Sequence, residues 1–363
     1  MKTRMRFSAV VSEAWRDTTS GASRAAVFAA ILVFTAGLMA CVDARAVVSI
    51  LRQADTFQQS AAAVEALSAD GLVDGRRCDA LGMVPGITAA GAARPGEPLR
   101  AWNMPSAQIA VVEATPGFMS LLNLIGQPTQ IDTAARDGVW LSSDLAATMG
   151  ARPSSVVRTS AGDATIGGIF TWPDDGRARD LGYVMVVPVP ADGVFSSCWA
   201  QIWPTNPDLS SLLTTTINGI VQPAQVKLAQ LNTSEGSGFD GERAFSTRIT
   251  APAPWVAGAA GFVIGFVAVR SRRLEVASSL HARVGRTALS WQHVFEAGFW
   301  SVCAALVSAA TLLWAARPSD YAWSVWIIGM RTVLAGSIAV IPGAIAAVAA
   351  IREKHLFLYS KDR

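Results

Sequence analysis

Several chemistries are missing from this sequence, and each absence narrows its function. It contains no loop of the form G-x-x-x-x-G-K-[ST], so it holds no phosphate cradle of that type. Its three histidines, His281, His293 and His355, are scattered without the spacing of a metal site or a catalytic triad. Its acidic residues lack the pairing that general acid–base chemistry uses. No dense basic tract accompanies the formal net charge of +3, which argues against a nucleic-acid partner. No catalytic residue, metal or cofactor is therefore expected in this chain.

What the chain has in quantity is apolar sequence in long runs. Stretches 25–42, 251–269, 297–316 and 332–351 are each close to the ~20 residues a helix needs to cross a ~30 Å hydrocarbon core. Between the first and second lies a mostly water-compatible segment, 43–250. This excludes a soluble enzyme. It predicts an α-helical integral membrane protein with four transmembrane helices plus a large extracytoplasmic α+β domain.

The charges set the orientation. Segments flanking the helices on one side carry 14 basic residues, namely Lys2, Arg4, Arg6, Arg16, Arg24, Arg270, Arg272, Arg273, Arg283, Arg286, Arg352, Lys354, Lys361 and Arg363. Against them stand six acidic residues, Glu13, Asp17, Glu275, Glu296, Glu353 and Asp362. Basic residues in short loops are retained on the cytoplasmic side. Both termini, including the 352–363 tail, and the 270–296 loop are thus expected inside a plasma or inner membrane. The 43–250 domain and the 317–331 link are expected outside. Residues Phe7, Val10, Val11, Ala14 and Trp15 recur at helical spacing, so 1–24 is read as an amphipathic helix along the inner surface.

Cys41 and Cys303 fall at or within apolar helices, while Cys78 and Cys198 share the external domain. A Cys78–Cys198 disulfide is favoured over two buried thiols, because disulfides persist outside the cell and only these two are there to pair. Leu38-Met39-Ala40-Cys41 loosely resembles a lipoprotein cleavage site. The residues before it are long for a signal n-region, so a retained anchor is favoured over a processed one.

In the external domain, 44–67 is helical in pattern and reads as a stalk continuing the first membrane helix. Short β-branched stretches at 108–113, 138–141, 155–159, 165–170 and 183–188 read as strands. Short helices are expected at 116–124 and 142–149, the second with Ser143 or Asp144 as cap. The segment 207–231 reads as mostly helical, followed by a loop at 232–240.

Three stretches carry a resemblance to a known family. They are FSAVVSEAWRDTTSGASRAAVFAAILV at 7–33, IAVVEATPGFMSLLNLI at 109–125 with the strands and helix of 138–170, and RLEVASSLHARVGRTALSWQHVFEAG at 273–298. Together they resemble the extracytoplasmic-domain permeases of the MacB/FtsX superfamily, the type VII ABC transporters. In the last stretch Arg273, Glu275, Val276, Gly285, Arg286, Glu296 and Ala297 match the family's cytoplasmic loop. Segment 197–241 matches nothing in that pattern, so partner or substrate specificity is expected there.

The resemblance implies a dimer, of two copies or with a paralogue, beside a separate cytoplasmic ABC ATPase that binds ATP and Mg. ATP-driven motion would then pass to the external domains by mechanotransmission. Arg273, Glu275, Arg283, Gly285, Arg286 and Glu296 become the expected ATPase-coupling residues. Arg270, Arg272 and Arg273 would also serve simply to anchor helix ends on anionic lipid. Val276, Leu280 and Val284 give the loop an apolar stripe suited to a partner's groove. Glu296, at the start of its membrane helix, would be a capping charge as readily as a signalling one.

Gly261 and Gly265 allow close helix packing, either inside one subunit or at a dimer seam. Pro342 predicts a kink. Arg331 is expected to snorkel to the outer interface beside Tyr321, Trp323 and Trp326. Most external tryptophans are expected in the core, but Trp199 and Trp203 would form a contact patch for a peptidic ligand or external partner if exposed. The favoured function is export or extraction of a peptide, lipopeptide, antibiotic or lipoprotein. The alternatives are FtsX-like signalling to a cell-wall hydrolase, and an ATP-independent receptor or adhesion protein.

Overall fold

The computed structural model describes residues 7–19, 24–131, 138–219, 226–317 and 320–352. Lys2, Arg4, Arg6, Glu353, Lys354, His355, Lys361, Asp362 and Arg363 lie outside the described residues. The chain divides into two compact units, Met1–Leu51 with Glu242–Arg363, and Arg52–Gly241.

The chain opens with α1 (Phe7–Thr19), then α2 (Ala25–Leu32), one π turn (Val33–Gly37) and α3 (Leu38–Gln59). The last three run as one helix of 35 residues, about 52 Å at 1.5 Å per residue, well beyond a hydrocarbon core. The π turn coincides with Gly37, where an added Cβ would sit 3.0 Å from Ser308 Oγ. The helix stops earlier than the expected stalk. Ala61 takes a left-handed φ of 59°, and Val64 already begins a strand. The alanines at 61–63 favour helix by propensity, but sheet pairing of Val64–Ser68 on both sides overrides it.

The second unit contains β1 (Val64–Asp74), α4 (Gly75–Ala80), β2 (Ile87–Pro95), β3 (Leu99–Ala101), β4 (Met104–Ala114) and α5 (Pro116–Ile125). Then come β5 (Pro128–Ile131), β6 (Val139–Ser142), α6 (Ser143–Met149), β7 (Val156–Thr159), β8 (Gly162–Phe170), β9 (Val184–Pro188), β10 (Val194–Ile202), α7 (Pro207–Ser210) and β11 (Lys227–Gln230). The strand order is β11-β1-β10-β2-β4-β3-β7-β8-β6-β9, with β5 on β8 and β9 also parallel to β4. All five expected strands are present. β1, β2, β3, β5, β10 and β11 were missed, and β11–β1–β10–β2 form one side of the sheet. Among the described residues of 207–231, the expected helix is limited to α7 and a 3₁₀ turn (Ser211–Thr216), and Lys227–Gln230 is strand β11 instead.

Helix α5 packs Phe118, Leu121, Leu122 and Ile125 into a core with Trp140, Phe170 and Trp199. Thr115 caps it by accepting from the Phe118 N–H. The N-cap position of α6 is Ser142, whose Oγ accepts from the Val184 N–H and makes no capping bond, so Ser143 and Asp144 do not occupy the cap position. Trp199 is only 7% exposed and edge-on to Phe118 at 5.2 Å, so the exposure on which a contact patch there depended is absent. Trp203 is half-buried and stacks on Phe239 at 5.9 Å.

Cys78 on α4 and Cys198 on β10 are joined by a disulfide, with Cα atoms 5.8 Å apart and a sequence separation of 120. The Cys78→Ser, Cys198→Ser double variant is expected to lose about 2–5 kcal/mol of domain stability. Chemical denaturation of the purified protein with and without reductant measures it.

The first unit resumes with α8 (Gly241–Ser246), α9 (Ala253–Arg270), α10 (Arg273–His281), α11 (Arg286–Ala316) and α12 (Ala322–Ala350). Among the described residues, α2–α3 together with α9, α11 and α12 make four helices long and apolar enough to cross a membrane. The glycines of α9 are used inside the chain. A Cβ on Gly261 would fall 2.0 Å from Gly336 O, and one on Gly265 2.1 Å from Val340 O. From α12, Gly343 approaches Phe262 O in the same way, at 2.1 Å. The backbones of α9 and α12 therefore touch, and this seam is intramolecular. Gly265→Leu is expected to destabilise the bundle by about 3 kcal/mol or more, because backbone on the facing helix cannot yield as a side chain can. A fall in the melting temperature of detergent-purified protein checks it.

Helix α12 runs through Pro342 without interruption. It begins at Ala322, so Arg331 sits in its third turn, on an exposed face and not buried. Trp323 and Trp326 stack at 5.0 Å, and Trp326 donates to Ala309 O. Where α3 leaves this unit, Asp43 is buried and accepts from Arg248 at 2.9 Å, with the guanidinium 4.0 Å from the Phe245 ring.

Candidate functional site

The basic end of the bundle is built around one residue, Arg272, in the short link between α9 and α10. Its side chain is 12% exposed and donates to three carboxylates. Nε reaches Glu275 at 2.6 Å, Nη1 reaches Glu296 at 2.7 Å and Nη2 reaches Asp17 at 2.8 Å. Gln292 donates to Asp17 at 3.2 Å, and His293 Nδ1 lies 3.3 Å from Glu296. One guanidinium therefore ties α1, α10 and α11 together. A planar five-donor group suits this, where an ammonium would not span three partners.

The electrostatics follow from that geometry. Burial opposes charge on Arg272, but the hydrogen bond with Asp17 and the charges of Glu296 and Glu275 outweigh it and raise its pKa. Burial alone would raise the Asp17 carboxyl, yet its bond and charge interaction with Arg272 hold it below its ordinary value. Asp17 and Glu296 are little exposed and costly to lose as partners, whereas the Glu275 side chain is 59% exposed and its ion pair contributes little.

The six residues expected at the coupling site divide. Glu275 and Glu296 join the Arg272 cluster. Arg283, with a left-handed φ of 63°, Gly285 at the N-cap of α11, and Arg286 form an exposed turn, where Arg286 donates to Ile351 O at 3.3 Å. Arg273 is half-buried. Three expectations are corrected. Glu296 is not at a helix start, because α11 begins at Arg286 and runs ten residues before reaching it. Arg272 is engaged in a buried ion cluster, so lipid anchoring does not account for it. Val276 is buried, and Leu280 and Val284 pack on the same core, so the apolar stripe of α10 faces its own bundle and not a partner. Asp17, Arg272, Gln292 and His293 were missed as a group. Their separations along the chain reach 275 residues, and no local pattern joins them.

A second buried cation organises the α+β unit. The Arg177 side chain is 0% exposed. It makes two 2.8 Å bonds to Asp175 and donates to Ile125 O at 2.7 Å and Gln59 O at 2.8 Å. Gln59 ends α3 and Ile125 ends α5, so one side chain satisfies carbonyls at two helix C-termini. The guanidinium also lies 4.9 Å from the Trp172 ring centre. Asn232 adds a bond to Ser60 O at 2.9 Å and another to Asp175 O. The end of α3 is thus fastened by residues from segments far away in sequence.

Comparison with models of sequence families finds no match, and comparison with curated proteins finds none. Among solved structures, the periplasmic region of MacB from Actinobacillus actinomycetemcomitans is similar at 9% identity and a TM-score of 0.36, covering 49% of this chain and 94% of that one. A domain of a putative permease protein from Porphyromonas gingivalis is similar at 16% identity and a TM-score of 0.35, covering 48% and 92%. The extracellular domain of the ABC-type transporter YknZ from Gram-positive bacteria is similar at 12% identity and a TM-score of 0.30, covering 42% and 93%.

Proposed function

We propose that this chain is the permease subunit of an ABC-type transporter, set in the membrane with its basic end in the cytoplasm and coupled there to a separate ATPase. The observation that carries the reading is the Arg272 cluster. It makes α1, α10 and α11 one body at the basic end, beside a helix that runs unbroken from Ala25 to Gln59. Force applied to such a body moves helices instead of bending a loop. The exposed turn at Arg283–Arg286 is the docking element for the ATPase, since the apolar face of α10 is already occupied. ATP and Mg belong to that partner. The chain works as a dimer, and its α+β domain handles a peptide, lipopeptide, antibiotic or lipoprotein outside the cell.

Affinity purification from the native membrane, followed by mass spectrometry and an ATPase assay, tests this. The wild-type chain should bring down an ATPase, and the Arg283→Glu, Arg286→Glu double variant should lose it while keeping its own melting temperature. Absence of any ATPase from the wild-type preparation would replace this reading with an ATP-independent receptor.

A further inference from the structure

The α+β unit holds a cavity of about 350 Å³, within the size range of small-ligand sites. Its walls come from the turn that follows α3, from β1 and β11, and from the segments around 205–210 and 237–238. Polar side chains of Thr205, Asn206, Ser210, Gln230 and Ser237 line it, with Glu65 as the one ionisable lining residue among those described. Ala62, Ala63, Ile202 and Leu228 supply an apolar floor.

Glu65 is the unusual member. Its Oε2 is buried with no hydrogen-bond partner among the described residues, and among those residues no arginine or lysine lines the cavity to neutralise it. A partly buried carboxylate with an orphaned oxygen is destabilising unless something supplies a donor. Burial accordingly pushes the Glu65 carboxyl up, against a hydrogen bond with Ser210. A divalent metal is a poor fit, because hard cations gather several oxygen ligands and this cavity offers one carboxylate. An alkylammonium fits both parts of the site, its charge on Glu65 and its methylene stem along the alanine and leucine floor.

We infer that this cavity is a binding site for an alkylammonium group, such as the side chain of a lysine in a peptide, with Glu65 as its counter-ion. Its position gives binding a consequence. Ala62 and Ala63 form one wall and belong to the turn that ends α3. Gln230 clamps that turn by donating to Ala62 O at 2.7 Å and to Gly236 O at 2.9 Å. An occupant therefore presses on the same turn that Asn232 holds through Ser60 O. The inference deepens the permease reading by naming a ligand class, but the binding itself requires no ATPase.

The test is calorimetry on the full chain in nanodiscs, without ATPase, using N-acetyl-lysine methylamide and its uncharged counterpart N-acetyl-norleucine methylamide. The lysine probe should bind saturably, and the norleucine probe about ten- to a hundredfold more weakly, the range expected for a charged hydrogen bond. Glu65→Gln should weaken the lysine probe by a similar factor. Leu228→Trp, which fills the floor, should abolish binding of both probes. Glu65→Gln should also raise the melting temperature at pH 7. A carboxyl with a raised folded pKa loses stability as pH climbs above its ordinary value of 4.5, so removing it relieves that loss. A gain in melting temperature separates lost binding from lost folding. Equal binding of the two probes, equal binding to Glu65→Gln, or no saturable binding of the lysine probe at millimolar concentration overturns the site, and each does so whether or not an ATPase is recruited.

Discussion

Arg272→Met is expected to cost the helical bundle about 3–5 kcal/mol, the usual penalty for removing one partner of a buried ion pair. The variant leaves Glu296, which is buried, and Asp17, 16% exposed in its side chain, facing each other without the guanidinium that bridges them. Thermal unfolding of the detergent-solubilised protein should show the loss. Arg272→Lys should recover only part of it, because a single ammonium cannot address α1, α10 and α11 at once. Adding Glu296→Gln and Asp17→Asn to Arg272→Met should restore much of the stability, since the uncompensated charges are then gone. That rescued variant separates packing from coupling. It should fold, yet fail to pass ATP-driven motion from α10 to α11 and α1. The pH dependence has a defined sign. Asp17 has a lowered folded pKa, so its stabilisation is full above its ordinary value of 3.8 and is lost as pH falls through the lowered one. In Arg272→Met burial is left to raise the Asp17 carboxyl, so that acid-side loss should vanish.

Arg177→Met should be of comparable size in the α+β unit, about 3–5 kcal/mol. Its side chain is fully buried, and three kinds of partner depend on it: the Asp175 carboxylate, the last carbonyl of α3 and the last carbonyl of α5. Burial favours a neutral Asp175, but the hydrogen bond and charge of Arg177 hold its carboxyl below the ordinary value. In Arg177→Met burial is left to act on Asp175, so the acid-side loss that Asp175 contributes should vanish, as for Asp17 in Arg272→Met. Hydrogen exchange gives the sharper readout. Amides near the end of α3 should exchange faster in the variant, while the β7–β8 hairpin, which Arg177 does not touch, should be unchanged.

The four long helices were legible because hydrocarbon thickness fixes a run of about 20 apolar residues, and sequence carries that run openly. Strands β4, β6, β7, β8 and β9 were legible through their β-branched residues. β2 was not, since the centre of Ile87–Pro95 is two pairs of alanines around a glycine. That glycine has a tertiary cause. A Cβ on Gly91 would lie 1.7 Å from the Phe118 backbone nitrogen, so α5 rests directly on the strand. β1 and β10 were hidden by a helix-favouring alanine run and by polar serines. The cysteine pair was legible from compartment and number alone. The two arginine clusters were not, because Arg272 meets Asp17 across 255 residues and Arg177 meets Gln59 across 118. Arg272 looked like any basic residue at a helix end, and only the fold shows which of several neighbouring arginines is buried.

The central claim is that cytoplasmic ATP hydrolysis reaches the α+β domain through the bundle. It is tested most directly by hydrogen exchange on the turn at residues 60–63, in the purified complex with its ATPase. The account predicts a nucleotide-dependent change in protection there, comparing the ADP–vanadate state with the nucleotide-free one. That change should vanish in the Arg272→Met, Glu296→Gln, Asp17→Asn variant. A complex that hydrolyses ATP while exchange at this turn stays the same in both states would contradict it.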